Sequence, residues 1–326
     1  MKVALVGAGG MGKIHLSLLR SMDDVQVVAV VDVEGAARAN ADDGKTMLYR
    51  DIHEMLANEQ VDIVDVCTPT YLHAECSIAA MERGIHVLCE KPMALTMGEA
   101  EAMVSAARSN GVLLMIAHVI RFWPEYQYLK KAYDEKTFGE LLQVSFSRIG
   151  SRPRRSWQNW MMDEKRSGRV PLDLHIHDVD FIVHMLGVPD AVISHRKEDG
   201  DNITYISTQY RFDKFAVQAE AGWFEAPLPF GMSFRAVFER AALEYKDRIL
   251  TCYELGKEPV RVTTELPLRT TPGPSNGYFN ELRYFIECVR TGKQPELALP
   301  ESTLDSIRVL HCELESAAAG RTVPVR

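Results

Sequence analysis

Asp173 and His177 stand in the run Asp173-Leu174-His175-Ile176-His177-Asp178-Val179-Asp180, a carboxylate and an imidazole one helical turn apart and so on one face of a helix. Such a pair can orient a substrate hydroxyl and remove its proton, because an imidazole changes charge near neutral pH. The same residues, or His175 with His177, could begin a zinc site, but no third ligand is evident and no metal is expected. A plainer reading makes them polar residues at a helix start that cap it and hydrogen-bond within the core, and this fits His175, Asp180 and His184 best.

A second constellation is Gly7-Ala8-Gly9-Gly10-Met11-Gly12, which fits G-x-G-x-x-G and lies between an apolar strand and a helical pattern. The first glycine makes the tight turn, the second lets the backbone approach a pyrophosphate, and the third allows close helix packing. The phosphates then meet the free N–H groups of the helix. Asp32 ends the next strand about 20 residues beyond the motif, where an acid can accept both ribose hydroxyls of an adenosine, so NAD is the expected cofactor. Asp32 could instead cap the following helix, and Arg38 nearby could greet a 2′-phosphate. Two more segments, Cys67-Thr68-Pro69-Thr70-Tyr71-Leu72-His73 and Cys89-Glu90-Lys91-Pro92, fall at the C-terminal ends of strands, where open α/β sheets bind ligands. The candidate cofactor-binding residues are therefore Gly7, Gly9, Gly10, Met11, Gly12, Asp32, Thr68, Pro69, His73, Glu90 and Lys91.

The elements that must position these residues read as follows. Strands are expected at 2–6, 25–32, 61–67, 85–89 and 112–117, with helices at 11–21, 51–58, 73–83 and 97–110. This alternation implies a doubly wound parallel sheet covered on both faces, a Rossmann domain over residues 1–120. Beyond it the runs LLQVSFSRI, NITYISTQYRF, KFAVQAEAGWF and MSFRAVFER follow one another without intervening helices, which predicts an antiparallel sheet. Helices at about 173–187, 278–291 and 301–319 would cover it, so residues 121–326 form an α+β domain, and 265–277 is a loop candidate. The whole is an α/β chain of 326 residues, more than one core usually organises. Its net charge of -8 argues against a nucleic-acid partner. The opening MKVALVGAGG is too short in apolar residues for a signal peptide, and no apolar run approaches the roughly 20 residues of a membrane helix. Six cysteines without Cys-x-x-Cys pairing read as reduced core thiols, so a cytoplasmic protein is expected.

The glycine motif, Glu90-Lys91-Pro92, the segment Ala117-His118-Val119-Ile120-Arg121-Phe122-Trp123-Pro124-Glu125-Tyr126 and the Asp173-to-His177 helix, in this order, resemble the Gfo/Idh/MocA family of oxidoreductases. The resemblance extends to Gly277-Tyr278-Phe279-Asn280-Glu281-Leu282 and to the last helix. It implies an NAD(P)-dependent dehydrogenase of sugars or cyclitols, with a second domain built on a large open sheet that commonly mediates oligomers, here a homodimer or homotetramer. By the same resemblance His177 is the general base, Lys91 stabilises the developing alkoxide, Asp173 holds a neighbouring hydroxyl or orients the imidazole, and His118 and Arg121 help hold substrate. The peptide bond before Pro92 is expected to be cis. Ser167-Gly168-Arg169-Val170-Pro171 departs from the paired glycines of many members, which leaves the substrate open. Two other readings come from the family: a ligand-sensing regulator without chemistry, and an NAD-using glycoside hydrolase. Arg148, Arg152, Arg154, Arg155, Arg166 and Arg169 crowd the approach to Asp173. A solvated loop explains them, but as pocket residues, Arg152 and Arg169 above all, they predict an anionic substrate such as a sugar acid.

Overall fold

The computed structural model describes residues 1–154, 156–200, 202–263 and 277–326. The chain divides into two compact units. The first comprises Met1–Val119, Lys165–Ser167, the helix Gly277–Thr291 and the stretch on to Leu304; the second holds Ile120–Glu164, the described residues of Gly168–Ser275, and Asp305–Arg326.

The first unit is built on six strands, β1 (Lys2–Val6), β2 (Gln26–Val31), β3 (Met47–Tyr49), β4 (Ile63–Val66), β5 (His86–Glu90) and β6 (Leu114–Ala117), in the order β3-β2-β1-β4-β5-β6. Every pairing is parallel. The strands are Val- and Ile-rich runs buried almost throughout, as a sheet covered on both faces requires. The helix Met97–Asn110, expected at those residues, opens on a capping box of Thr96 and Glu99 and stops at Gly111 in the left-handed conformation. The helix Gly35–Ala41 enters the sequence reading only as a helix that Asp32 could cap, without bounds, and strand β3 has no counterpart there. The helix buries only Ala41 and so has no apolar stripe, and three residues are too few to show a period.

In the second unit nine strands follow, β7 (Leu141–Ser151), β8 (Ala191–Asp199), β9 (Asn202–Arg211), β10 (Ala216–Phe224), β11 (Gly231–Phe238), β12 (Ala241–Lys246), β13 (Ile249–Glu254), β14 (Val260–Arg261) and β15 (Val323–Pro324). Their order is β14-β13-β12-β11-β7-β10-β9-β8-β15. Only β7 with β10 is parallel among these described strands, so the sheet is mostly antiparallel. Its strands alternate buried and exposed residues, the mark of one covered face.

Two expectations need correction here. The helix Gly277–Thr291 does not cover the second sheet: it belongs to the first unit, where it packs on the helix Gly10–Arg20 and Arg283 pairs with Asp24 at 2.6 Å. Its amphipathic pattern shows that a face is buried and says nothing of which sheet buries it. The segment expected as one helix over 173–187 is a π-helical turn, Val170–His175, running into an α-helix, Ile176–Leu186. Of the loop candidate 265–277, Gly277 opens a helix and the remainder lies outside the described residues.

Candidate active site

Parallel pairing aligns the carboxyl ends of the first unit's strands. The register sets Val6 beside Val31 and Val66, Val66 beside Cys89, and Glu90 beside Ala117. The residues that follow therefore form a row along one edge: Asp32, Gly7, Thr68 and Pro69, Lys91, His118. The strand order reverses between β1 and β4, which is where such sheets bind dinucleotides.

The glycines of the motif divide by what a side chain would meet. Gly7 has φ +96, and a Cβ there would lie 2.5 Å from the Cys67 carbonyl oxygen. A Cβ on Gly12 would fall 1.9 Å from the Gly7 carbonyl oxygen. These two glycines are demanded by the protein itself. Gly9 and Gly10 would meet nothing within 4 Å, so the space above them is open, and the helix Gly10–Arg20 starts with no side-chain cap at Gly9. An open glycine cradle at an uncapped helix N-terminus fits a pyrophosphate. Asp32 accepts the Ala8 N–H at 2.7 Å through one oxygen and the Glu34 N–H at 2.8 Å through the other, while Arg38 donates to the Asp32 carbonyl. The carboxylate is thus tethered to the cradle, and the N-cap position of the following helix is Glu34, which makes no side-chain capping bond.

Lys91 follows the last residue of β5, half-buried, and its bond to Pro92 is cis as the resemblance implied. Its N–H donates to Glu90 Oε2 at 3.0 Å. His73 differs from its expected role in cofactor binding. It is 1% exposed, with Nδ1 2.8 Å from the Pro92 carbonyl and Nε2 3.0 Å from the Thr68 carbonyl. Both ring nitrogens are engaged by backbone, so His73 ties the two strand-end turns together; burial lowers its pKa despite these carbonyls.

His15 and Asp65 had no part in the sequence reading, yet they sit directly beneath this row. His15 Nδ1 lies 2.9 Å from Asp65 Oδ2 and 3.4 Å from Cys67 Sγ, and its Nε2 lies 3.2 Å from Glu90 Oε1. The signal was present: an acid at the centre of the buried run Ile63-Val64-Asp65-Val66 must have a partner.

In the second unit Asp173 lies in the π-helical turn and His177 in the α-helix that continues it, both partly exposed. Arg169, with φ +53, precedes the turn, and Val170 and Leu174 pack against Ile203, Ile206, Ala221 and Trp223 of the sheet. Two buried ion pairs and a buried histidine–carboxylate contact hold the same segment. Arg121 reaches both oxygens of Asp180 at 2.8 and 2.7 Å, and Ser306 donates to Asp180. Arg148 grips Asp178 at 3.2 and 2.9 Å, and His175 Nε2 lies 2.9 Å from Glu313. Arg121 is therefore no substrate ligand: at 1% exposure its guanidinium is held by Asp180 inside the unit. His175 and Asp180 are core polars, as the plainer reading had them. His118, at the end of β6, is also 1% exposed.

The arginine cluster disperses. Arg148 is buried on Asp178, Arg154 is exposed and pairs with Glu225, and Arg166 lies over the Tyr71 ring at 5.1 Å. Arg155 lies outside the described residues. Arg152 pairs with Asp199 and Glu225, and Arg169 is 4% exposed, its pKa lowered by burial and by Arg152 nearby.

Residues 1–118 match the model of the oxidoreductase family with an NAD-binding Rossmann fold, and residues 126–244 match that family's C-terminal domain. The chain belongs to the Gfo/Idh/MocA family. The family chain is 30% identical, over 95% of its length and 96% of the other's, to a 4-carboxy-2-hydroxymuconate-6-semialdehyde dehydrogenase of a Sphingobium species. It is 30% identical over 66% of its length to a 2,7-anhydro-N-acetylneuraminate hydratase of Mediterraneibacter gnavus, of which it spans 59%. A levoglucosan dehydrogenase complexed with NADH superposes with a TM-score of 0.89 over 100% of this chain and 99% of that one, at 20% identity, which establishes a shared fold. The protein is an oxidoreductase whose Rossmann domain takes NAD. Among the described residues no helix is long and apolar enough to cross a membrane.

Proposed function

We propose that this family member transfers a hydride between NAD and a secondary alcohol of a carboxylated sugar or sugar-like compound. The observation that carries the reading is the row on one sheet edge that joins an open glycine cradle, a tethered Asp32 and Lys91. NAD, when bound, supplies the hydride acceptor. His177 takes the hydroxyl proton, and the Lys91 ammonium stabilises the developing alkoxide electrostatically. Asp173 orients the imidazole or a neighbouring hydroxyl. His118 and the paired Arg152 and Arg169 remain the candidate substrate contacts, and Thr68, Pro69 and Met11 the candidate cofactor contacts.

Two observations support an anionic substrate. Both relatives above are named for carboxylated compounds, and Arg169 is a buried cation four residues before Asp173. A panel of sugar acids, free sugars and cyclitols, followed by reduced-nicotinamide absorbance, tests the reading. Turnover with acids is expected, and a strong preference for a neutral polyol overturns the anionic part. Bound NAD without net reduction, with cleavage of a chromogenic glycoside, overturns the dehydrogenase part.

Homodimers or homotetramers are proposed to form through the uncovered face of the nine-stranded sheet. A concavity of about 690 Å³ there is lined by Ser147, Tyr205, Ser207, Glu220, Arg235 and others, polar side chains that suit a hydrogen-bonded interface. The free cysteines support a reducing, cytoplasmic setting.

A further inference from the structure

The first unit buries four ionisable side chains in line: Asp65 at 1% exposure, His15 at 0%, Glu90 at 6%, and then half-buried Lys91. Each link is short. Asp65 Oδ2 meets His15 Nδ1 at 2.9 Å, His15 Nε2 meets Glu90 Oε1 at 3.2 Å, and Glu90 Oε2 accepts the Lys91 N–H at 3.0 Å. The two oxygens of Glu90 are thus divided between His15 and the backbone of the lysine. A carboxylate oxygen lies beside each ring nitrogen, a hydrogen bond at Nδ1 and a charge contact outside hydrogen-bond geometry at Nε2, and two flanking carboxylates favour the imidazolium. His15 also sits three residues beyond Gly12, on the helix that opens at the glycine cradle.

We propose that His15 is a positioning residue: as an imidazolium clamped between Asp65 and Glu90, it fixes the carboxylate that holds Lys91 and so links the cofactor cradle to that lysine. The groups facing it are Asp65 and Cys67 from the end of β4, Glu90 from β5, and the Tyr278 ring 6.5 Å away from the helix Gly277–Thr291. His73 and Lys91 act on Glu90 from the other side. Burial disfavours a charged His15, but Asp65 and Cys67 together raise the imidazole well above its ordinary range. Burial likewise opposes the Glu90 charge, and His15, Lys91 and His73 together hold that carboxyl low. Burial pushes the Cys67 thiol far up.

The inference rests on Lys91 belonging to the active site, and its test is chosen to need no turnover. In the full-length protein, ¹⁵N-histidine NMR should show both His15 nitrogens protonated at pH 8. Competitive acetylation of lysines across pH, read by mass spectrometry, gives the apparent pKa of Lys91. In His15→Gln it should rise by about half a unit or more, since the cation two links away is gone while Glu90 stays ionised. A neutral His15 at pH 7, or a Lys91 titration indifferent to His15→Gln, overturns the proposal. So does stoichiometric zinc in the purified protein bound by His15, Asp65 and Cys67, whose ligand atoms lie within 4.8 Å of one another. Should His15→Gln fail to fold, the wild-type NMR signature alone decides. Loss of the reading that Lys91 acts on substrate, by contrast, would appear as wild-type turnover in Lys91→Met and leave these readings unchanged.

Discussion

At the scale of residues, the chemistry divides between groups that touch the reacting atoms and groups that hold them. His177→Ala should lower kcat by about 10²- to 10⁴-fold, the range for a lost general base, with the NAD dissociation constant within about threefold of wild type. Steady-state kinetics and cofactor titration check this, and wild-type turnover would remove His177 from the mechanism. His15 gives a pH prediction. Its folded pKa lies above the unfolded value of about 6.5, so between that pH and the raised value the native state binds more protons than the unfolded chain. The stability His15 contributes is complete below about pH 6.5 and is lost as pH rises through the folded pKa. Urea midpoints measured from pH 6 to 8.5 should therefore fall more steeply for wild type than for His15→Gln. Equal slopes would show that His15 is neutral in the fold.

Elements convert those residues into a site. In the glycine turn, Gly9→Ala and Gly12→Ala should separate two roles. A methyl at Gly9 meets open space in the protein but would stand where a pyrophosphate approaches, so it should weaken NAD binding at least about tenfold and leave the melting temperature within about 2 °C. A methyl at Gly12 falls on the Gly7 carbonyl and should cost both binding and stability. Calorimetry on the two variants distinguishes the roles. In the second unit the helix carrying His177 is fixed by Arg121 on Asp180 and Arg148 on Asp178. Truncating Arg121 to Ala leaves the Asp180 charge buried without its main partner, a loss of about 3–5 kcal/mol by the usual cost of orphaning one member of a buried pair. A chemical-denaturation curve reads this directly. A change below about 1 kcal/mol would show that Arg121 is solvated and open again to substrate.

At the scale of the molecule, the proposed anionic substrate requires positive charge concentrated locally in a chain of net charge -8, and Arg152 and Arg169 are the proposed source. If they serve it, raising salt should raise KM for a sugar-acid substrate while kcat changes little, because screening weakens the encounter and not the chemistry. A salt-independent KM would count against it. The polar face of the nine-stranded sheet sets the other expectation at this scale. Light scattering should give a dimer or tetramer, and Arg235→Glu, opposite Glu244 on that face, should shift it toward monomer.

Sequence alone determined the parallel sheet, the glycine turn with Asp32 and Lys91 at strand ends, and the antiparallel second sheet. Each of these rests on local spacing: apolar runs with period, glycines at fixed offsets, a proline after a lysine. Tertiary structure decided what depends on burial and on partners distant in the chain. Arg121 reads as a substrate contact by resemblance alone and His73 as a cofactor contact by its place after a strand end, and packing turned them inward onto Asp180 and onto backbone carbonyls. The helix Gly277–Thr291 showed an apolar face, but only the fold assigned that face to the first unit. His15, 50 positions from Asp65 and farther still from Glu90, became part of a charged row because parallel β-pairing draws the ends of separate strands to one edge. No spacing within a single element records that juxtaposition.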